Sequence, residues 1–122
     1  MKIHTKIWVE DDCGKILVGE GRLKIFHAIV KTGSLSAASR ELKMSYRAVW
    51  GKVRATEERL GVQLVKGVAG GSLKGGATLT KEAVEFVKQF ENFNVKATEM
   101  VEQLAGEMLP ETFPGSNNNN SQ

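Results

Sequence analysis

Residues 33–61, GSLSAASRELKMSYRAVWGKVRATEERLG, constrain this chain more than any other stretch, because they read as two helices joined by a short turn. Ser34 can cap the first helix, its hydroxyl accepting from amides left open in the first turn. Leu35, Ala38 and Leu42 then recur at three- and four-residue spacing, which marks one buried stripe. Ala37 and Ala38 are small enough to let a second helix cross closely. After a turn at Leu42–Met44, Ser45 offers a second cap, and Val49, Val53, Thr56 and Leu60 set the inward face of the next helix.

A helix needs only one buried stripe, so the opposite side of helix 45–60 is free to read something. Positions 46, 47, 50, 51 and 54 project away from the core, and Tyr46, Arg47, Trp50 and Arg54 lie among them. That is the helix-turn-helix layout, in which the start of the second helix enters the major groove of DNA.

Charge supports the pattern. The net formal charge is only +3, yet residues 1–20 sum to −1, residues 21–42 to +3, residues 43–81 to +6 and residues 82–122 to −5. Positive charge is thus concentrated on the second helix and the glycine-rich stretch after it, as an electrostatic footprint for nucleic acid requires. A charge run alone reads as a solvated lysine-rich face; its coincidence with the helix-turn-helix pattern changes that reading.

Flanking segments complete the expected architecture. Residues 3–9 hold strand formers, 10–14 form a turn and 15–18 return, which predicts an N-terminal hairpin. A helix over roughly 21–32 follows, with Leu23, Phe26, Ile29 and Val30 inward and Gly33 just past its end. Beyond Gly61, residues 62–66 and 77–79 are short strands around a loop, 67–76, with five glycines in ten residues. A helix-turn-helix followed by such a hairpin is a winged helix, with residues 67–76 as the wing. Thr80 then caps a long helix over 80–105, about 39 Å at 1.5 Å per residue. Along it Phe86, Phe90, Phe93, Ala97, Met100 and Leu104 alternate four and three apart, a heptad seam that wants a partner surface. The fold class expected is mainly α with a small β component. Residues 1–105 form the winged helix-turn-helix domain with its long C-terminal helix, and 106–122 a low-complexity tail.

Several chemistries lose support. A lone cysteine, Cys13, allows no internal disulfide and no cysteine-based zinc cluster. Two isolated histidines, His4 and His27, and two aspartates sharing one turn, Asp11 and Asp12, assemble no catalytic constellation, so no enzyme is expected. The glycine-rich loop does not match G-x-x-x-x-G-K-[ST], and no cofactor is expected. With no signal pattern and no apolar run of about 20 residues, a cytoplasmic location is expected.

The residues TGSLSAASRELKMSYRAVW, then EERLGVQLV, then GGSLKGGATLT leading into a long helix, resemble the N-terminal DNA-binding domain of ModE-type molybdate-responsive transcription regulators. That domain is a winged helix related to the one in LysR-type regulators, and the resemblance spans about residues 3–105. It implies a homodimer that binds a partly palindromic operator and regulates transcription. It places Ser45, Tyr46, Arg47 and Trp50 on the recognition helix and Gly70–Gly76 on the wing. Two departures stand out. Full-length family members carry molybdate-binding domains after the long helix, where this sequence ends, so neither molybdate nor another oxyanion is expected to bind this chain. Leu73 also replaces one of the glycines usual in the wing.

The expected partners are double-stranded DNA and a second copy of the chain. Arg47 is the expected guanine reader, and Tyr46 is suited to a phosphate or a thymine methyl. For Trp50, covering the gap between helices and contacting DNA remain equally open, and Arg54 lies two turns further in. Ser34, Ser36 and Ser45 can meet phosphates at helix N-termini, and Arg40, Lys43, Lys52, Lys66 and Lys74 are expected phosphate contacts. Phe90, Phe93, Ala97, Met100 and Leu104 are the expected dimerisation residues. A nonspecific architectural DNA binder and a winged-helix module that binds protein instead are the competing readings.

Overall fold

Both glycine stops and hydroxyl caps act where local chemistry demands them. The computed structural model describes residues 2–68 and 72–111, with Lys74 described through its backbone alone. Helix α1, Glu20–Thr32, ends at Gly33, whose φ of 79° lets its N–H turn back onto the Ile29 carbonyl. Helix α2, Leu35–Leu42, begins at Ser34, whose Oγ accepts from the Ala37 N–H at 3.0 Å. Helix α3, Tyr46–Leu60, begins at Ser45 in the same way, accepting from the Ala48 N–H at 3.0 Å. The turn between α2 and α3 is tight enough to hold Lys43 at φ 57°.

Two short antiparallel sheets accompany these helices. Strands β1 (Val9–Glu10) and β2 (Ile16–Val18) form the N-terminal hairpin, with an irregularity between Val9 and Glu10. The strand expected over 3–9 is therefore confined to its last residue, because β2 offers only three residues to pair with. Strands β3 (Val65–Gly67) and β4 (Ala77–Leu79) pair Val65 with Leu79, Lys66 with Thr78 and Gly67 with Ala77. A 3-10 turn at Leu73–Gly75 precedes β4. Long helix α4, Lys81–Met108, is 28 residues, about 42 Å at 1.5 Å per residue. Thr80 starts it, its Oγ1 accepting from the Ala83 N–H at 3.1 Å while donating to the Gln63 carbonyl at 2.8 Å.

The chain packs as two units, residues 7–90 and residues 2–6 with 91–111. In the first, Ile25, Phe26, Ile29, Leu35, Ala38, Val49, Val53, Leu64, Val65, Ala77, Ala83 and Val87 form one apolar cluster. The stripe expected on α3 is all there, with Val49, Val53 and Thr56 buried and Leu60 packed on the cluster. On α1 the inward arc is Ile25, Phe26, Ala28 and Ile29, and Val30 is 65% exposed. At 100° per residue, Val30 lies outside the arc those four define. On α4 the buried residues within this unit are Ala83, Val87 and Phe90, with Phe86 partly covered. In the second unit, the Thr5 and Thr98 hydroxyls lie 3.5 Å apart.

Candidate nucleic-acid interface

The capped starts of α2 and α3 each present polar side chains. Ser34 is half-buried in its capping role, while Ser36 and Arg40 are exposed on α2 and joined by a 3.4 Å contact from Nη1 to Oγ. Lys43, exposed, occupies the turn itself. Ser45, Tyr46 and Arg47 open α3, all exposed. No carboxylate of the described residues pairs with Arg47, so its five donors remain available to a ligand.

One turn further on, the side chains are committed to each other. Trp50 is half-buried against the apolar cluster, which supports its reading as a cover between helices. The Arg54 guanidinium lies over its ring, 5.7 Å from the centroid. Arg54 also faces Glu57 at 3.9 Å and Glu58 at 3.5 Å. Of the two arginines on this face, Arg47 is thus open and Arg54 is engaged along its own helix.

The wing hairpin is tied to the turn that precedes α2. The Ala77 N–H donates to the Gly33 carbonyl at 2.9 Å, which joins β4 to the α1–α2 turn. Gly76, at φ 123°, makes that close approach; a Cβ there would sit 3.3 Å from the Gly33 oxygen and 3.1 Å from Val68 Cγ2. Lys66 is exposed on β3 between two buried neighbours. Gly70 and Gly71 and the Lys74 side chain lie outside the described residues.

Residues 21–84, from the first turn of α1 to the start of α4, match the profile of the bacterial regulatory helix-turn-helix protein, lysR family. The chain belongs to that family. Among curated relatives it is similar to the molybdenum-pterin-binding protein MopB of Rhodobacter capsulatus, 37% identical over 73 residues, 60% of this chain and 27% of that protein. It is also similar to the molybdenum transport protein ModE of Azotobacter vinelandii, 27% identical over 111 residues, 91% of this chain and 40% of that protein. The chain thus spans less than half the length of either. Its fold resembles the crystal structure of the CbnR_DBD-DNA complex, with TM-score 0.52 and 23% identity over 71% of this chain and 94% of that one. The BenM_DBD/benA site 1 DNA complex is similar at TM-score 0.51 and 24% identity, covering 69% and 92%. At these identities the likeness shows the winged-helix fold.

Within this lysR-family domain, three polar links are not evident from helical periodicity. Arg22 Nε donates to Thr56 Oγ1 at 3.1 Å, joining α1 to α3; burial, and then the neighbouring Arg59, pull this guanidinium below its ordinary range. Arg59 Nη1 donates to the Ile16 carbonyl at 2.6 Å, fixing β2 to the end of α3. Glu57 Oε2 accepts from the Leu64 and Val65 N–H groups at 2.8 and 3.1 Å. On α4, Phe90 is buried at 6% exposure, Ala97 is half-buried, and Phe93, Met100 and Leu104 are each more than half exposed. Among the described residues, no group of three His, Cys, Asp or Glu is placed to hold a metal, and no helix is long and apolar enough to cross a membrane.

Proposed function

We propose that this chain is a sequence-specific, DNA-binding transcription regulator that acts in the cytoplasm as a homodimer on a partly palindromic operator. The observation that carries the reading is the contrast on α3: Tyr46 and Arg47 are exposed and open at its N-terminal end, while Trp50 and Arg54 are held behind them. Arg47 donates in bidentate fashion to guanine O6 and N7, and Tyr46 meets a phosphate or a thymine methyl. Trp50 and Arg54 back the reading end, stacked on each other behind Tyr46 and Arg47. Ser34, Ser36, Ser45, Arg40, Lys43 and Lys52 contact phosphates around the groove, and Lys66 and Lys74 extend those contacts along the wing.

Phe93, Ala97, Met100 and Leu104 form the seam against a second copy, which spaces two recognition helices about one helical turn of DNA apart. Catalysis has no part in this reading. The test is a pair of substitutions. Arg47→Ala is expected to cost about 1–3 kcal/mol of preference for the operator and leave affinity for random duplex intact. Lys74→Ala is expected to weaken both and to flatten the salt slope by about 0.9. Equal losses from both substitutions on every sequence would remove Arg47 from the reading role.

A further inference from the structure

The last turn of α3 contains a carboxylate that the reading surface does not use. Glu57 is largely buried, its side chain 13% exposed, and it receives four amide protons from the next eight residues. Its backbone carbonyl accepts from Gly61 at 2.8 Å and Val62 at 3.3 Å. Its Oε2 accepts from Leu64 and Val65. The chain reversal from recognition helix into β3 is therefore organised around one residue, with its side chain holding the two amides that open β3. Leu64 and Val65 are themselves buried, at 0% and 2% exposure, so water offers their amides no ready replacement. From the other side, the Thr80 N–H donates to the Leu64 carbonyl at 2.9 Å.

We propose that Glu57 is a positioning residue that sets the direction of the wing relative to the recognition helix, and that the wing's phosphate contacts depend on its acceptor oxygen. The inference rests on the DNA-binding reading above. A strand rises about 3.3 Å per residue, so a tilt of roughly 10° at Val65 moves Val68, three residues along, by about 1.7 Å. The same tilt swings the Lys66 side chain by about 1 Å at its amino group, and a phosphate contact near 2.9 Å does not survive a shift of that size as a hydrogen bond. Arg54 faces the same carboxylate while lying over Trp50, so the middle of the recognition helix and the root of the wing share one polar network.

The sign of the expected effect separates this role from a plain charge effect. Removing an acidic group beside a DNA-binding surface strengthens binding if charge alone matters. Positioning predicts the opposite for Glu57→Ala: a salt slope shallower by about 0.9–1.8, one to two phosphates lost, with the preference for the selected operator over random duplex retained. Glu57→Gln keeps an oxygen acceptor without the charge and is expected to keep the native slope. Glu57→Asp keeps the charge but shortens its reach, and is expected to behave like Glu57→Ala; it also serves if the alanine variant fails to fold.

The experiment is salt-dependent affinity of the native chain and the three variants on the selected operator and on a random duplex, with thermal midpoints measured alongside. A native slope in both Glu57→Ala and Glu57→Asp, whatever their midpoints, would overturn the proposal. So would a Glu57→Gln slope that falls with that of Glu57→Ala. A native chain with no salt-dependent duplex binding would instead defeat the DNA-binding reading on which the proposal rests.

Discussion

Substituting Gly76 by alanine tests the junction between the wing and the α1–α2 turn. Gly76 sits at φ 123°, a conformation that costs a residue with a Cβ about 1–3 kcal/mol. The new Cβ would stand 3.1 Å from Val68 Cγ2 and 3.3 Å from the Gly33 oxygen. That oxygen accepts from the Ala77 N–H at 2.9 Å, so its retreat weakens a bond worth about 1 kcal/mol. Reduced freedom of the unfolded chain returns about 0.4–1 kcal/mol. The net expectation is a loss of about 2–3 kcal/mol, which lowers the urea midpoint by about 1–2 M if m is near 1.5–2 kcal/mol/M. Gly51→Ala is the matched control. Gly51 lies inside α3, and a methyl group added there would meet no neighbouring heavy atom within 4 Å, so alanine is expected to stabilise by about 0.5–1 kcal/mol. Urea titrations of both variants decide the matter. A Gly76→Ala midpoint equal to that of the native chain would show that this junction takes no part in the cooperative fold, and the reasoning would fail.

Other expectations follow from the same contacts. Thr56→Val keeps the buried volume but leaves Arg22 Nε without its acceptor; it should destabilise by about 1–2 kcal/mol in thermal unfolding and leave operator preference unchanged. Leu104→Glu places a charge on the proposed seam of α4, 53% exposed in the single chain. It is expected to shift the solution mass from dimer to monomer at micromolar concentration, and an unchanged dimer would remove Leu104 from the interface.

What the sequence made legible was the part of the fold governed by neighbours along the chain. Ser34, Ser45 and Thr80 each cap the helix expected of them, because capping needs only a hydroxyl and an amide three residues on. The inward face of α3 was readable from spacing, since a helix of fifteen residues has room to repeat its pattern. Short elements were harder. β1 shrank to Val9–Glu10 and β3 fell on Val65–Gly67 rather than 62–66, because two- and three-residue strands carry no measurable alternation. Val30 looked inward on α1 because apolar spacing does not show which of two adjacent stripes meets a neighbour, and Ala28 is small enough to take the inner place. On α4, the heptad reading missed Ala83 and Val87, which face the core of residues 7–90. In the site, Arg47 and Tyr46 were legible as exposed ends of a patterned helix. Glu57 and the Arg22–Thr56 pair were not, since their partners are set by how separate elements meet in three dimensions. The one signal for Glu57 was an acid four residues before a helix-ending glycine, which is too common to single it out.

Whether this chain reads DNA sequence is decided by selection from a randomised duplex pool, followed by salt-dependent affinity on the winning sequence. The expected result is a partly palindromic winner bound at least about 10³-fold tighter than random DNA, with an affinity that falls steeply as salt rises. Steep salt dependence without an enriched sequence would contradict the specific reading and leave a nonspecific DNA binder. Absence of duplex binding at low salt would contradict the DNA-binding function altogether.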